Sequence, residues 1–140
     1  MSLKEWIKES NNIVFFGGAG VSTESNIPDF RSDNGLYKKQ YPYPAEVMLS
    51  HSFYESNPKA FFEFYFNQMI YKDAKPNKAH LALAQLEKQG KLKAVITQNI
   101  DGLHQAAGSK TVYELHGSVL RNTCTGCHEK IYFRSNVRIL

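Results

Sequence analysis

Cysteine is scarce: the 140 residues contain two, Cys124 and Cys127, both in a single CTGC. A disulfide-stapled scaffold is excluded, and this spacing points to metal or redox chemistry before a structural disulfide. Long apolar runs are missing too. No segment approaches the ~20 residues of a membrane span, and the opening MSLKEWIKES has no apolar stretch of signal-peptide length. Dense Lys/Arg runs are absent, and the net charge is only +4, which argues against nucleic acid as a partner. There are no internal repeats and no low-complexity tracts. These absences together read as a soluble, cytoplasmic protein with neither nucleic acid nor membrane as partner. What is present is ordinary globular composition, 42% hydrophobic and 21% charged. The length suggests one domain, with roughly two-thirds of the unfolded surface available for burial.

Along the chain, Ser2 and Glu5 form a capping box for a short first helix with Leu3, Trp6 and Ile7 on one face. The apolar run NIVFF, residues 12–16, reads as a strand buried on both faces. VSTES, just after the glycines that end this run, reads as a helix start. Asn57 and Pro58 cap and begin an aromatic helix, and Pro76 with Asn77 begins another that stops at Gly90. KLKAVITQN and TVYELHG read as a second and third strand, with His116 at the end of the third. Strands alternating with helices predict an α/β, Rossmann-like parallel sheet with helices on both faces.

Three clusters fall after these strands. The first, GAGVSTESNIPDFRS, spans residues 18–32. Gly18 and Gly20 suit close approach of the backbone to a ligand, and a strand, a glycine turn and a helix start together make an anion site. The dinucleotide fingerprint is only partly met, because Thr23 occupies its third position, and no Gly-Lys-Ser/Thr of a P-loop follows. The plain alternative is a tight turn. Pro28 leaves Asp29, Phe30 and Arg31 on irregular backbone beside it; Arg31 suits phosphate, and Phe30 suits shielding a reactive centre. The second cluster, TQNIDGLHQAAG, sets Gln98, Asn99 and Asp101 at a strand exit, where open α/β sheets bind ligands. Its alternative is a capped turn, with Asp101 starting a helix near Leu103. The third, ELHGS, offers His116 as a general base. His51, His80, His104 and His128 read as structural or exposed.

These three motifs, followed by CTGC, resemble the signature set of the sirtuins, the NAD-dependent protein lysine deacylases, over residues 4–130. The resemblance implies NAD as cofactor, an acetylated protein or peptide as partner, and transfer of acetyl from lysine to ADP-ribose with release of nicotinamide. It implies that the backbone of Gly18, Ala19 and Gly20 and the Thr23 side chain hold phosphates, with Asp29 in the same binding loop. Phe30 and Arg31 would cover nicotinamide and ribose; Gln98, Asn99, Ile100 and Asp101 would form their pocket, Asn99 and Asp101 serving catalysis. His116 would take a proton from a ribose hydroxyl. It further implies three regions: a Rossmann-like part over residues 1–38 and 75–120, a helical insertion over 39–74, and the start of a zinc module over 121–140.

Succinyl- and malonyl-preferring sirtuins share a Tyr-x-x-Arg pair. Here Tyr65 is followed by Gln68, which predicts a neutral acyl group in a site lined by the aromatic helix (Phe61, Phe62, Phe64, Tyr65, Phe66 and Met69). The same aromatic face also fits an ordinary core. Two departures from the family stand out. Asn26 replaces a usual glycine, at a position where Asn tolerates left-handed backbone. The family also continues beyond a first cysteine pair to a second pair and further strands, so the expectation is an N-terminal part of a catalytic domain. Its zinc site would be incomplete, with Cys124 and Cys127 as two of four ligands, and it would have little deacetylase activity alone. CTGCH also matches a haem-attachment pattern, which a cytoplasmic setting disfavours. Two further readings stay open: a catalytically incomplete binder of nucleotide or partner, and a mono-ADP-ribosyltransferase.

Overall fold

The computed structural model describes residues 2–132. Helix α1 (Leu3–Glu9) begins with the expected box: the Ser2 N–H donates to Glu5 Oε2 at 2.6 Å, and the Glu5 N–H to Ser2 Oγ at 3.4 Å. Its apolar face is not buried as a core face would be, since Leu3 is 69% and Trp6 56% exposed. The helix is tied down from its other end. Lys91 Nζ donates to the carbonyls of Ile7, Lys8 and Ser10 at 2.9, 2.7 and 3.1 Å, a cation on carbonyls at the negative end of the helix dipole.

Strands β1 (Ile13–Gly17), β2 (Leu92–Thr97) and β3 (Val112–Glu114) form a parallel sheet with β2 in the centre. Register sets Val95 between Phe15 and Val112, Ile96 between Phe16 and Tyr113, and Thr97 between Gly17 and Glu114. The C-terminal ends of all three strands are therefore level, and each of the three sequence motifs begins at that edge. Crossover connections of helical content are what parallel pairing requires.

Strand β1 differs from its expected burial on both faces. Val14 is 56% and Phe16 61% exposed, and Tyr113, in register with Phe16 across Ile96, is 59% exposed. Alternation sends these side chains to one face, which the described residues leave uncovered. The opposite face holds Val95, fully buried, and Phe15, which packs on the His104 ring at 5.9 Å.

After β1 the chain forms a 3-10 helix (Ala19–Ser25) rather than an α-helix. Val, Ser and Thr are weak helix formers, and the Thr23 hydroxyl donates to the Gly20 carbonyl at 2.9 Å, competing with the regular pattern. Asn26 ends it at φ 61°, the left-handed geometry that suits Asn. Gly35 closes the next loop. A Cβ there would stand 2.6 Å from the Phe30 carbonyl carbon, so only glycine lets Leu36 and Tyr37 donate to the Asp29 and Phe30 carbonyls, both at 2.9 Å.

A helical excursion follows: a second 3-10 turn (Leu36–Lys38), α2 (Ala45–Met48), α3 (His51–Ser56) and α4 (Pro58–Gln68). Asn57 Oδ1 accepts from the Ala60 N–H at 3.3 Å, with Pro58 in the first turn as its sequence requires. Ala45, Met48, Phe53 and Phe64 make a core of their own, and Tyr41 meets Phe64 edge-on at 4.9 Å. Burying a side chain like Phe64 stabilises by about 1.5–3 kcal/mol. Phe62, on the same helix, stays 42% exposed.

Helix α5 (Lys78–Lys88) starts at Asn77, whose Oδ1 accepts from the Ala79 N–H at 2.9 Å. The same side chain's Nδ2 donates to the Val21 carbonyl at 2.7 Å and Ser25 Oγ at 3.1 Å, fastening the helix to the glycine loop. Gly90 ends it at φ 74°. Short helix α6 (Leu103–Ala106) lies between β2 and β3, and His116 stands in the turn two residues beyond β3 rather than on it. Strands β4 (Arg121–Thr123) and β5 (Lys130–Tyr132) pair antiparallel around the CTGC turn. The last part of the expected zinc module, residues 133–140, lies outside the described residues.

Candidate functional site

The three strand ends open on one cavity of about 940 Å³. Its floor is polar. The Ser22 hydroxyl donates to Asp101 Oδ2 at 2.7 Å and accepts from Asn99 Nδ2 at 3.0 Å. The Asn99 N–H is bonded to Thr97 Oγ1 at 3.0 Å, and Asp101 Oδ1 accepts from the Leu103 N–H at 2.9 Å. Ser22 is 1% and Asn99 9% exposed. A carboxylate has about four acceptor positions, so Asp101 is anchored from two sides and keeps capacity for a ligand. Sequence reasoning missed Ser22, the joint of this network, and chose its neighbour Thr23. The signal was there, in a second hydroxyl within the same motif. Thr23 is exposed and lines a smaller depression with Asn26, Asp29 and Ser32.

Asp29 itself borders both spaces, and its Oδ1 accepts from the Ser32 N–H and hydroxyl at 3.1 and 2.5 Å. Phe30 and Arg31 line the large cavity, Phe30 against the Tyr37 ring at 5.3 Å. Gln98 hydrogen-bonds through its N–H to the Gly17 carbonyl at 2.9 Å and presses on Gly18, where a Cβ would meet Gln98 Oε1 at 2.9 Å. Ile100 accepts from the Val119 N–H at 3.0 Å.

His116 is exposed and faces the same cavity. Its Nδ1 lies 3.1 Å from the Gln98 carbonyl. A carbonyl only accepts, so Nδ1 is the nitrogen that donates here, which in the neutral ring leaves the lone pair on Nε2. That is the tautomer a base requires.

The far wall is apolar, built from Leu49, Phe61, Tyr65, Met69 and Ile70. Gln68 is set within it, and its Oε1 accepts from the Tyr41 hydroxyl at 3.1 Å. Burial pushes the Tyr65 phenol up from its ordinary range.

Behind the floor sit two histidines that sequence reading left aside as structural. His80 and His104 are 0% and 1% exposed, with rings in edge contact at 4.7 Å. His80 Nδ1 accepts from the Asn77 N–H at 3.2 Å; His80 Nε2 and both nitrogens of His104 lack partners among the described residues. Burial pushes both pKa values down, the neighbouring His80 lowers His104 further, and Asp101 opposes the shift in each. Each ring thus binds its proton more readily unfolded than folded. Stability should be complete above the unfolded value of about 6.5 and fall as pH drops through it. Urea midpoints at pH 7.5 and pH 5 check this: the midpoint should drop in acid, and His104→Leu should flatten the dependence.

Cys124 and Cys127 face one turn. The N–H groups of Cys127 and then Gly126 hold the Cys124 thiol below its usual range, which favours a thiolate. Among the described residues no third His, Cys, Asp or Glu joins them. Two thiolates are half of a tetrahedral set, so the described residues do not by themselves make a closed zinc site.

The Sir2 family model matches residues 18–138. The chain is 68% identical over 127 residues to a protein of Clostridium acetobutylicum named NAD-dependent protein deacetylase, covering 89% of this chain and 52% of that one. Among solved structures, it matches a Sir2 protein with a deacetylated p53 peptide and 3'-O-acetyl ADP ribose at TM-score 0.83 and 45% identity, covering 94% of this chain and 54% of that one. It matches a Sir2–p53 peptide–NAD+ complex at TM-score 0.76 and 44% identity, covering 94% and 52%. The chain spans about half the length of the curated relatives it matches. With the motifs level at one sheet edge and the family model spanning nearly the whole chain, this protein belongs to the Sir2 family.

Proposed function

We propose that this chain serves NAD-dependent removal of acetyl groups from protein lysines. The observation that carries the reading is the convergence of the Asn99–Ser22–Asp101 network and His116 on one cavity. The site has room for a dinucleotide's phosphates where Gly20 lines it, since no heavy atom lies within 4 Å of the point where a Cβ would stand. NAD, when bound, supplies an electrophilic ribose carbon whose leaving group is nicotinamide. The chain does the rest. The Ile100 N–H and the Asp101 carboxylate hold the carboxamide of nicotinamide. Phe30 keeps water from the reacting carbon, and Arg31 pairs with phosphate. His116 Nε2 takes a ribose hydroxyl proton while Nδ1–H stays on the Gln98 carbonyl. The apolar wall takes the acyl group of an acetylated peptide. Cys124 and Cys127 would supply two ligands to a structural zinc; no chemical step depends on it.

The test uses the full chain that its gene encodes, with NAD and an acetyl-lysine peptide. Nicotinamide should appear in step with loss of the acetyl mass from the peptide. Nicotinamide release with a peptide that gains the mass of ADP-ribose would overturn the reading in favour of ADP-ribosyl transfer.

A further inference from the structure

Glu114 ends β3 with its side chain only 5% exposed. Oε2 is paired with Arg121 Nη2, while Oε1 has no partner among the described residues. A buried carboxylate needs a partner to compensate its lost hydration, and Arg121 is the partner that Oε2 has. Arg121 is itself 54% exposed and opens β4. Neither residue lines the cavity.

The place of the pair is informative. Residues 115–120 form the loop between β3 and β4, and the pair bridges its two ends. His116 is in this loop. Its other ties are the buried Val119 side chain and a few backbone bonds, the Leu115 N–H to the Thr97 carbonyl at 2.9 Å and the Val119 N–H to the Ile100 carbonyl at 3.0 Å among them. Between them Gly117 takes φ 79°, and among the described residues the exposed His116 has only the Gln98 carbonyl as a hydrogen-bond partner. An ordered ring at an exposed position needs the loop beneath it to be fixed.

We propose that the Glu114–Arg121 pair is a positioning clamp: it closes the β3–β4 loop and thereby holds His116 Nδ1 on the Gln98 carbonyl, fixing the tautomer that leaves Nε2 free. The pair touches no substrate. The structural claim stands on the loop geometry; only its consequence for turnover rests on His116 being the base.

The experiment uses the full chain that its gene encodes, with Glu114→Gln, Arg121→Met and Arg121→Lys. Glu114→Gln keeps the shape and removes the charge. Arg121→Met removes the cation from a half-exposed position and serves if Glu114→Gln fails to fold. Nitrogen chemical shifts of the His116 ring read the tautomer directly. The Nδ1–H form should dominate in the unaltered protein, become a mixture in Glu114→Gln and Arg121→Met, and be partly restored in Arg121→Lys, which keeps the charge but not the planar fork. Deacetylation should fall by about ten- to a hundredfold in the first two variants, while nicotinamide exchange and KM for NAD barely change. An unaltered tautomer in both overturns the clamp, and so does a parallel fall of exchange and deacetylation, which would mean general loosening. A shifted tautomer with unchanged deacetylation supports the clamp and refutes His116 as the base.

Discussion

With His116 replaced by alanine, deacetylation is expected to fall by a factor of about 10²–10⁴, the usual contribution of a placed general base, while NAD affinity stays nearly the same. The structure gives reasons for both halves. Among the described residues the exposed His116 is bonded only through Nδ1 to the Gln98 carbonyl, itself in an exposed residue, so truncation leaves no buried polar group there unpaired. The polar floor of Ser22, Asn99 and Asp101 is bonded internally and does not involve His116. Nicotinamide exchange should therefore survive while acyl transfer stops. Calorimetric titration with NAD and a single-turnover assay of the full chain decide the matter. A loss of NAD binding as large as the loss of turnover would mean that His116 positions the cofactor instead.

Acetyl-lysine should be processed about a thousandfold faster than succinyl-lysine. On the proposed reading Gln68 takes the position where an arginine would meet a second carboxylate; its Oε1 is engaged by the Tyr41 hydroxyl. The surrounding wall of Leu49, Phe61, Tyr65 and Met69 is apolar. A carboxylate placed there without a cation suffers a desolvation cost of several kcal/mol, and about 4 kcal/mol is a factor of a thousand. Competition between acetyl and succinyl peptides for the full chain reads the ratio. A preference for succinyl would show that a cation elsewhere on the cavity rim reaches the acyl end.

The motifs at the strand ends were legible because their signals are local: glycines at a turn, polar residues at a strand exit, caps at Ser2, Asn57 and Asn77. Parallel pairing followed from alternation of elements, and the level strand ends followed from that pairing. Other features depend on what lies across the fold. An apolar run such as that of β1 tells that its faces suit burial, not that a neighbour covers both, and Val14 and Phe16 stand bare. The 3-10 form of residues 19–25 turns on one hydroxyl competing for the Gly20 carbonyl. The Ser22 network and the His80–His104 contact join residues far apart in the chain, and the Glu114–Arg121 pair spans a loop. Ser22, Glu114 and Arg121 each read alone as an unremarked polar residue.

The helical excursion between β1 and β2 also bears on the order in which the molecule assembles. The sheet cannot form until Ile13 finds Leu92, and closing so long a loop is slow and entropically costly. Yet the intervening chain encloses its own small core of Ala45, Met48, Phe53 and Phe64, made of contacts close together in sequence. That unit can condense first and act as a compact spacer, shortening the effective loop before the strands meet. The apolar wall of the cavity would then be the oldest part of the site in each folding event. The loop that carries His116, which hangs from β3 and needs the finished sheet beneath it, would be the youngest.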